Sequence, residues 1–355
     1  MSPLYDIAII GLGPAGSTLA RLLKPELKVA AIDRKKLDGS LGGFQKPCGG
    51  LLSPGAQKML ASQGLNLPNS VLADPQIFTV RTMDLKIGLE RHYQRCYVNM
   101  DRHRFDLWLA SLISPSVDVF SQAACRSIER KSSHFEITFI KNNKMQTIKS
   151  RLLIGADGSA SLVRRLFAPQ SIRRYVCLQH YYPGLANLPY GCFFHPDITD
   201  CYGWINHKDG EMVLGAALPL KQPARRFEEI KKQLRAFGYD FSQKPLKVEA
   251  AQVSRPTGLH QIQIGHGGFF LLGEAAGLVS PSSLEGISYA LGSAFQLSGI
   301  LNRRPEADQA GAYSRSLWHL RFKLLNRKAK VPFMYNPALR RLVMASRIDS
   351  MSVMG

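Results

Sequence analysis

Two short, uninterrupted apolar runs stand near the start of the chain, Ile7–Ile10 and Val29–Ile32. Runs of this length bounded by turn formers read as strands buried on both faces, the pattern of a parallel sheet. Ser17–Leu23 reads as the helix that joins them. Later runs at Leu152–Ile154 and Phe269–Leu272 have the same character, and each leads into glycines and an acid. A different pattern fills 76–100 and 175–218, which read as strands of a second sheet, followed by a helix over Phe227–Phe237. Near the end Tyr313, Leu317, Leu320 and Leu324 recur at helical spacing, with Trp318, Phe322 and Leu325 widening the apolar face. Arg315, His319, Lys323 and Lys330 fall opposite. Such a helix either packs on the protein's own core or lies on an anionic bilayer.

With 355 residues the chain exceeds a usual single domain, so a second domain grown from a large core is expected. A 45% hydrophobic and 20% charged composition describes an ordered protein. The six cysteines form no CxxC pair and no zinc-like spacing with histidine, which points to free thiols in a reducing compartment, hence the cytoplasm, and to no metal. Asp6 precedes the first apolar run where a signal peptide carries a basic flank, and no apolar run reaches membrane-spanning length. The net charge of +20 favours an anionic partner: a phosphate-bearing substrate, an acidic membrane surface or nucleic acid. Nucleic acid is the weakest of these, for there is no zinc finger, RNA-binding signature or long basic arm.

The first apolar run opens on Gly11, Gly13 and Gly16, a GxGxxG pattern. These glycines supply a tight turn, close approach to a pyrophosphate and close helix packing. The second run delivers Asp33, placed to accept a ribose hydroxyl. NAD and FAD share this fingerprint. Two further turns, at Asp157 and Gly158 and at Gly273 and Glu274, put an acid and glycines at the C-terminal edge of a strand, and a helix opens near Gly286.

Together with "PCGG" at Pro47–Gly50 and "RHRFD" at 102–106, these segments resemble the geranylgeranyl reductase family within the group 2 flavoprotein monooxygenase fold. The resemblance implies an α/β protein: a Rossmann-type FAD-binding domain (1–73, 98–174 and 250–300), an inserted, mostly antiparallel β substrate domain (74–97 and 175–249), and a basic helical segment (301–355). It implies FAD held by Gly11, Gly13, Pro14, Ala15, Gly16, Asp33 and Arg34, with Arg102 near the ribose and pyrophosphate. Asp157, Gly273, Glu274, Gly286 and Ile287 close over the cofactor. The family usually has Asp where Glu274 stands, and the longer side chain must retreat or bend to reach the ribityl chain.

In this family Pro47, Cys48, Gly49 and Gly50 lie beside the flavin and the prenyl chain. Two glycines let backbone approach a flat ring. Cys48 is then either a proton source in an apolar pocket or a small buried hydrophobe. The stretch around Tyr202, Trp204 and Lys208 resembles the family's substrate-side motif, with Asn206 and His207 replacing Phe and Pro. Tyr202, Trp204 and His207 are thus candidates for substrate binding. The implied activity is FAD-dependent reduction of carbon–carbon double bonds in a prenyl or polyprenyl lipid. No second GxGxxG follows, so electrons are expected from NADPH binding transiently or from a protein carrier, and the basic C-terminal helix and net charge are the grounds for peripheral contact with the inner face of the cytoplasmic membrane. A monooxygenase on an aromatic or lipidic substrate, and a flavin-binding regulator or lipid-binding protein without turnover, are the alternatives.

Overall fold

The computed structural model describes residues 3–39, 44–184, 189–303 and 308–352. In chain order the strands are β1 (Leu4–Ile10), β2 (Val29–Ile32), β3 (Leu51–Leu52), β4 (Ile77–Asp84), β5 (Leu89–Asn99), β6 (Val117–Phe120), β7 (Ala123–Arg130) and β8 (Phe135–Lys141). They continue with β9 (Lys144–Gly155), β10 (Arg173–Pro183), β11 (Tyr190–Phe194), β12 (Gly203–Lys208), β13 (Glu211–Pro219), β14 (Lys247–Arg255), β15 (Phe269–Leu271) and β16 (Ser350–Met351). The helices are α1 (Pro14–Leu22), α2 (Pro54–Ala61), α3 (Arg102–Ser111), α4 (Leu162–Phe167), α5 (Pro223–Leu234), α6 (Ile287–Leu301), α7 (Gln309–Ser316), α8 (Trp318–Ala329), α9 (Val331–Tyr335) and α10 (Pro337–Ala345).

β6, β2, β1 and the C-terminal end of β9 pair in parallel, with Ile7 opposite both Val29 and Leu152. β15 adds to β9 at Leu153–Gly155, while the other end of β9 turns back on β8 and β7 as an antiparallel meander. The apolar runs form this parallel layer because helices cover it, and α1 supplies the crossover from β1 to β2. α1 starts at Pro14, ahead of the expected Ser17, since proline at a first helical position needs no partner for an N–H.

The second sheet runs β14-β10-β13-β12-β11-β4-β5-β16, antiparallel except between β11 and β4. One face is covered by α5, whose Phe227, Ile230 and Leu234 share a core with Ile205, Leu214 and Leu218. The other face carries Trp204, Asn206 and Lys208 against the loop at Gly49 and Gly50. The chain is an α/β protein with a Rossmann-type layer, an interleaved β sheet and C-terminal helices.

The C-terminal amphipathic pattern splits at Leu317, between α7 and α8. Tyr313, Leu317, Leu320 and Leu324 all join the core of the first layer, and the Tyr313 hydroxyl donates to Leu271 O at 3.2 Å. α10 is tied to β4 by a buried ion pair, Arg340 Nη2 to Asp84 Oδ2 at 2.6 Å. Among the described residues no helix is long and apolar enough to cross a membrane.

Candidate functional site

The β1–α1 turn is held by steric necessity. Gly11 has φ +97°, and a Cβ there would lie 2.6 Å from Ala156 O; a Cβ on Gly16 would lie 1.8 Å from Gly11 O. Gly13 differs, because a Cβ there meets nothing nearer than Lys35 Nζ at 3.9 Å. It is the N-cap of α1 and offers no side-chain cap, so the first-turn N–H groups of Ala15 and Gly16 face an open cradle. Asp33 closes the turn: Oδ2 accepts from Leu12 N at 2.5 Å and Oδ1 from Lys35 N at 2.7 Å, leaving lone pairs on both oxygens.

Two other turns meet this one, at Asp157 and at Gly273. Asp157 Oδ2 accepts from Leu162 N at 2.6 Å at the start of α4, while Oδ1 is buried without a partner, and burial raises the carboxyl pKa. Gly273, at φ +50°, is wedged between α1 and α6; a Cβ there would sit 3.2 Å from Ala290 Cα and 3.5 Å from Ala15 Cβ. Gly286 is the N-cap of α6 and Ile287 its first residue, and the Glu285 carboxylate covers this N-terminus, Oε1 accepting from Ser288 N at 2.7 Å and Oε2 from Ser288 Oγ at 2.7 Å. The uncapped N-terminus of α1, an open glycine and an orphaned carboxylate oxygen together suit a dinucleotide.

Glu274 bends away, as its extra methylene allows. Its Oε2 pairs with Lys46 Nζ at 2.7 Å and its Oε1 accepts from Ser254 N at 2.8 Å, joining the Gly273 turn to the KPCGG loop and to β14. Arg34 is exposed, with its guanidinium over the Phe44 ring at 3.4 Å.

Behind the loop is a buried charge chain. Lys35 Nζ lies 2.6 Å from Asp106 Oδ2, and Arg102 Nε lies 2.8 Å from Asp106 Oδ1, one helical turn away on α3. Burial alone raises Asp106, but the two cations prevail and hold it at about 2. Burial opposes the Arg102 charge, and Asp106 and the neighbouring Cys48 more than offset it, so Arg102 is raised. Cys48 therefore sits against a guanidinium, and its sulfur accepts from Gly50 N at 3.4 Å, an environment more polar than the apolar pocket expected.

β12 forms the floor. Residues two apart share a face, so Tyr202, Trp204, Asn206 and Lys208 turn together toward the loop. The Trp204 indole lies between Gly215, where a Cβ would fall 2.2 Å from Cε2, and Gly49, where a Cβ would fall 3.4 Å from Nε1. Tyr202 stands 5.8 Å from Trp204 and donates to Ser283 O at 2.7 Å. Asn206 Nδ2 donates to Gly49 O at 3.2 Å and to Asn99 Oδ1 at 3.1 Å, while Lys208 Nζ donates to Asn99 Oδ1 at 2.9 Å and Met100 O at 2.6 Å. His207 is not brought to this face. It points with Ile205 toward the α5 side, where burial lowers its pKa. The alternation along the strand is a sequence signal, and it selects Asn206 and Lys208 in place of His207.

Burial pushes Lys208 down from 10.5 to about 8. Between those values the unfolded chain binds the proton that the folded chain has released, so stability rises with pH. The stability of the wild type relative to Lys208→Met, read from urea midpoints, should rise by about 2 to 3 kcal/mol from pH 8 to 10.5. A pH-independent difference would contradict this assignment.

Residues 4–173 match the family described as FAD binding domain. Across the whole fold the chain is similar to a geranylgeranyl bacteriochlorophyll reductase-like protein from Thermoplasma acidophilum (TM-score 0.78, 19% identity, 99% of this chain and 93% of that one). It is also similar to PqsL, a probable FAD-dependent monooxygenase from Pseudomonas aeruginosa (TM-score 0.70, 14% identity, 98% and 100%). The class is that of FAD-binding flavoproteins. In sequence the chain is 45% identical over 346 residues to Protein CbrA of Escherichia coli O9:H4, covering 97% of this chain and 94% of that protein, and 44% identical to Protein CbrA of Shigella sonnei, covering 97% of each. It belongs to the CbrA family.

Proposed function

We propose that this protein is an FAD-dependent reductase of carbon–carbon double bonds in a prenyl or polyprenyl lipid. The observation that carries the reading is the Trp204 indole packed against Gly49 of the KPCGG loop, with Tyr202 beside it: an aromatic floor directly under a backbone thin enough for a flat ring to approach. FAD would be held by Gly11, Gly13, Ala15, Gly16, Asp33, Asp157, Gly273, Gly286 and Ile287. FAD, when bound and reduced, would supply hydride to one alkene carbon. The chain's own part is to seat the alkene on Tyr202 and Trp204, exclude water, and deliver a proton from Cys48 to the other carbon. Arg102 and Lys208 position the loop that carries the thiol. Electrons come from NADPH or a protein carrier.

Incubating the chemically reduced holoprotein with a polyprenyl phosphate without oxygen should add pairs of hydrogens to the lipid mass. Cys48→Ser should slow that gain by at least about tenfold with flavin content unchanged. An unchanged lipid mass with flavin bound and reduced would sink the substrate assignment.

One observation favours oxygenation of an aromatic or polar lipidic substrate as a second reading. On the same sheet Gln179 is fully buried, its Nε2 lies 3.4 Å from Glu249 Oε2, and its Oε1 is left without a partner. Tyr181 also donates to Glu249, at 2.8 Å. Such a polar cluster suits a substrate that carries a polar group. NADPH-driven oxygen uptake matched by a hydroxylated product would select this reading. Stable flavin with neither reaction would select the regulator or lipid-binding protein.

A further inference from the structure

The C-terminal helices present an outward surface that the fold does not use. Trp318 is 69% exposed, Phe322 58% and Leu325 43%, and their spacing of four and three residues stacks them on one face of α8, away from the buried Leu320 and Leu324. Phe333 on α9 and Leu342 on α10 are also exposed. Isolated exposed apolar residues are ordinary, but a helical stripe of three large ones is not.

Charge identifies the occupant. From Gln309 to Ile348 the sequence carries nine Lys and Arg and no Asp or Glu. Some of these cations have structural partners: Arg340 pairs with Asp84, Arg315 with Asp308, and Lys323 donates to Ser288 Oγ at 2.8 Å. Lys328, Lys330 and Arg341 are exposed, and Arg321 is partly so, next to the apolar stripe. Large apolar side chains flanked by cations, without acids, complement an anionic lipid surface, in which rings enter the headgroup boundary and cations meet phosphates.

The surface also adjoins the site. The Tyr335 hydroxyl on α9 donates to Ser282 O, and its ring lies 5.7 Å from Phe194, which in turn lies 6.5 Å from Tyr202. Lys323 on α8 stands 4.6 Å over the Tyr289 ring of α6. Tyr335 of α9 thus packs behind the aromatic side of the site, and α8, which carries the stripe, packs on α6.

We propose that the face formed by Trp318, Phe322 and Leu325 with Arg321 and Lys328 docks the protein on anionic bilayers. Docking is peripheral and reversible, and it places the walls of the site at the lipid boundary. The inference stands on surface residues alone and does not depend on which lipid, if any, is reduced.

The test is sedimentation of the FAD-loaded full chain with vesicles of phosphatidylcholine alone and with about one third phosphatidylglycerol. The protein should pellet with the anionic vesicles at low salt and be released by high salt. Trp318→Ser/Phe322→Ser and, separately, Arg321→Gln/Lys328→Gln should each weaken partitioning by at least about tenfold, with flavin content and thermal midpoint unchanged. Absence of wild-type pelleting overturns the proposal. So does pelleting of both variants to the same extent as the wild type, which would put the charge attraction elsewhere on this basic protein. A wild-type dimer dissolved by Trp318→Ser/Phe322→Ser would show that a second copy covers the face, and tighter binding to duplex DNA than to vesicles would assign the cations to nucleic acid; either result also overturns it.

Discussion

Gly16→Ala should yield a colourless protein. Its Cβ would have to occupy space 1.8 Å from Gly11 O and 3.3 Å from Ala156 Cβ, and the first of these atoms is backbone. Gly11 cannot yield, for it is at φ +97° and packed on Ala156 O. The turn must therefore come apart, lifting α1 from the sheet and misdirecting the N–H groups at its N-terminus. Overpacking at a rigid position costs about 3 kcal/mol or more, and flavin affinity should fall by at least about a hundredfold. Gly13→Ala is the control, because its Cβ has room. That variant should keep the wild-type urea midpoint yet lose flavin, the added methyl standing in the cradle itself. Flavin absorbance after gel filtration, together with the unfolding midpoint, separates the two outcomes. Wild-type flavin content in Gly16→Ala would falsify the assignment of this turn.

Asp106→Asn should be strongly destabilising. Asp106 is 2% exposed and holds both Lys35 and Arg102, so the amide leaves two buried cations facing each other. Removing one partner of a buried network costs roughly 3 to 5 kcal/mol, mostly from the charges left behind. The double variant Asp106→Asn/Lys35→Met should recover part of the loss, since one uncompensated cation is gone. The pH dependence has a definite sign. In the unfolded chain this carboxyl takes up its proton near 3.8, whereas the native network holds it at about 2. Between those values the unfolded state binds more protons, so stability falls as pH drops through the window, by about 2 kcal/mol for this group. Acid unfolding of the wild type should show this component, and Asp106→Asn should lack it. Equal acid slopes in the two proteins would contradict the network.

Much of the cofactor side is legible in the amino-acid sequence. A parallel strand must be apolar on both faces, and a nucleotide-binding turn must use glycine where a Cβ has no room, so both leave local marks. The substrate side leaves fainter ones. Matching the substituted motif residue by residue points to His207, whereas the alternation of β12 decides which side chains share a face and puts Asn206 and Lys208 there. Glu274 stands where a flavin contact is expected, yet its partners, Lys46 and Ser254, lie on a loop and on a strand of the other sheet. The C-terminal pattern has the right helical period, but period alone does not say which of its apolar residues are covered.

Constraints that act between near neighbours are written in the chain itself: the two alternative periodicities, the GxGxxG turn, and the i and i+4 spacing that lets Arg102 reach Asp106. Pairings across long separations are of another kind and emerge only in the folded molecule. Lys35 with Asp106, Asn206 with Gly49, and Trp204 over Gly215 and beneath Gly49 belong to this group. So does the burial of Leu320 and Leu324 while Phe322 and Leu325 stay outside. Such contacts depend on where two sheets and their helices come to rest against each other. That placement is set by the packing of the whole core, which no local spacing encodes.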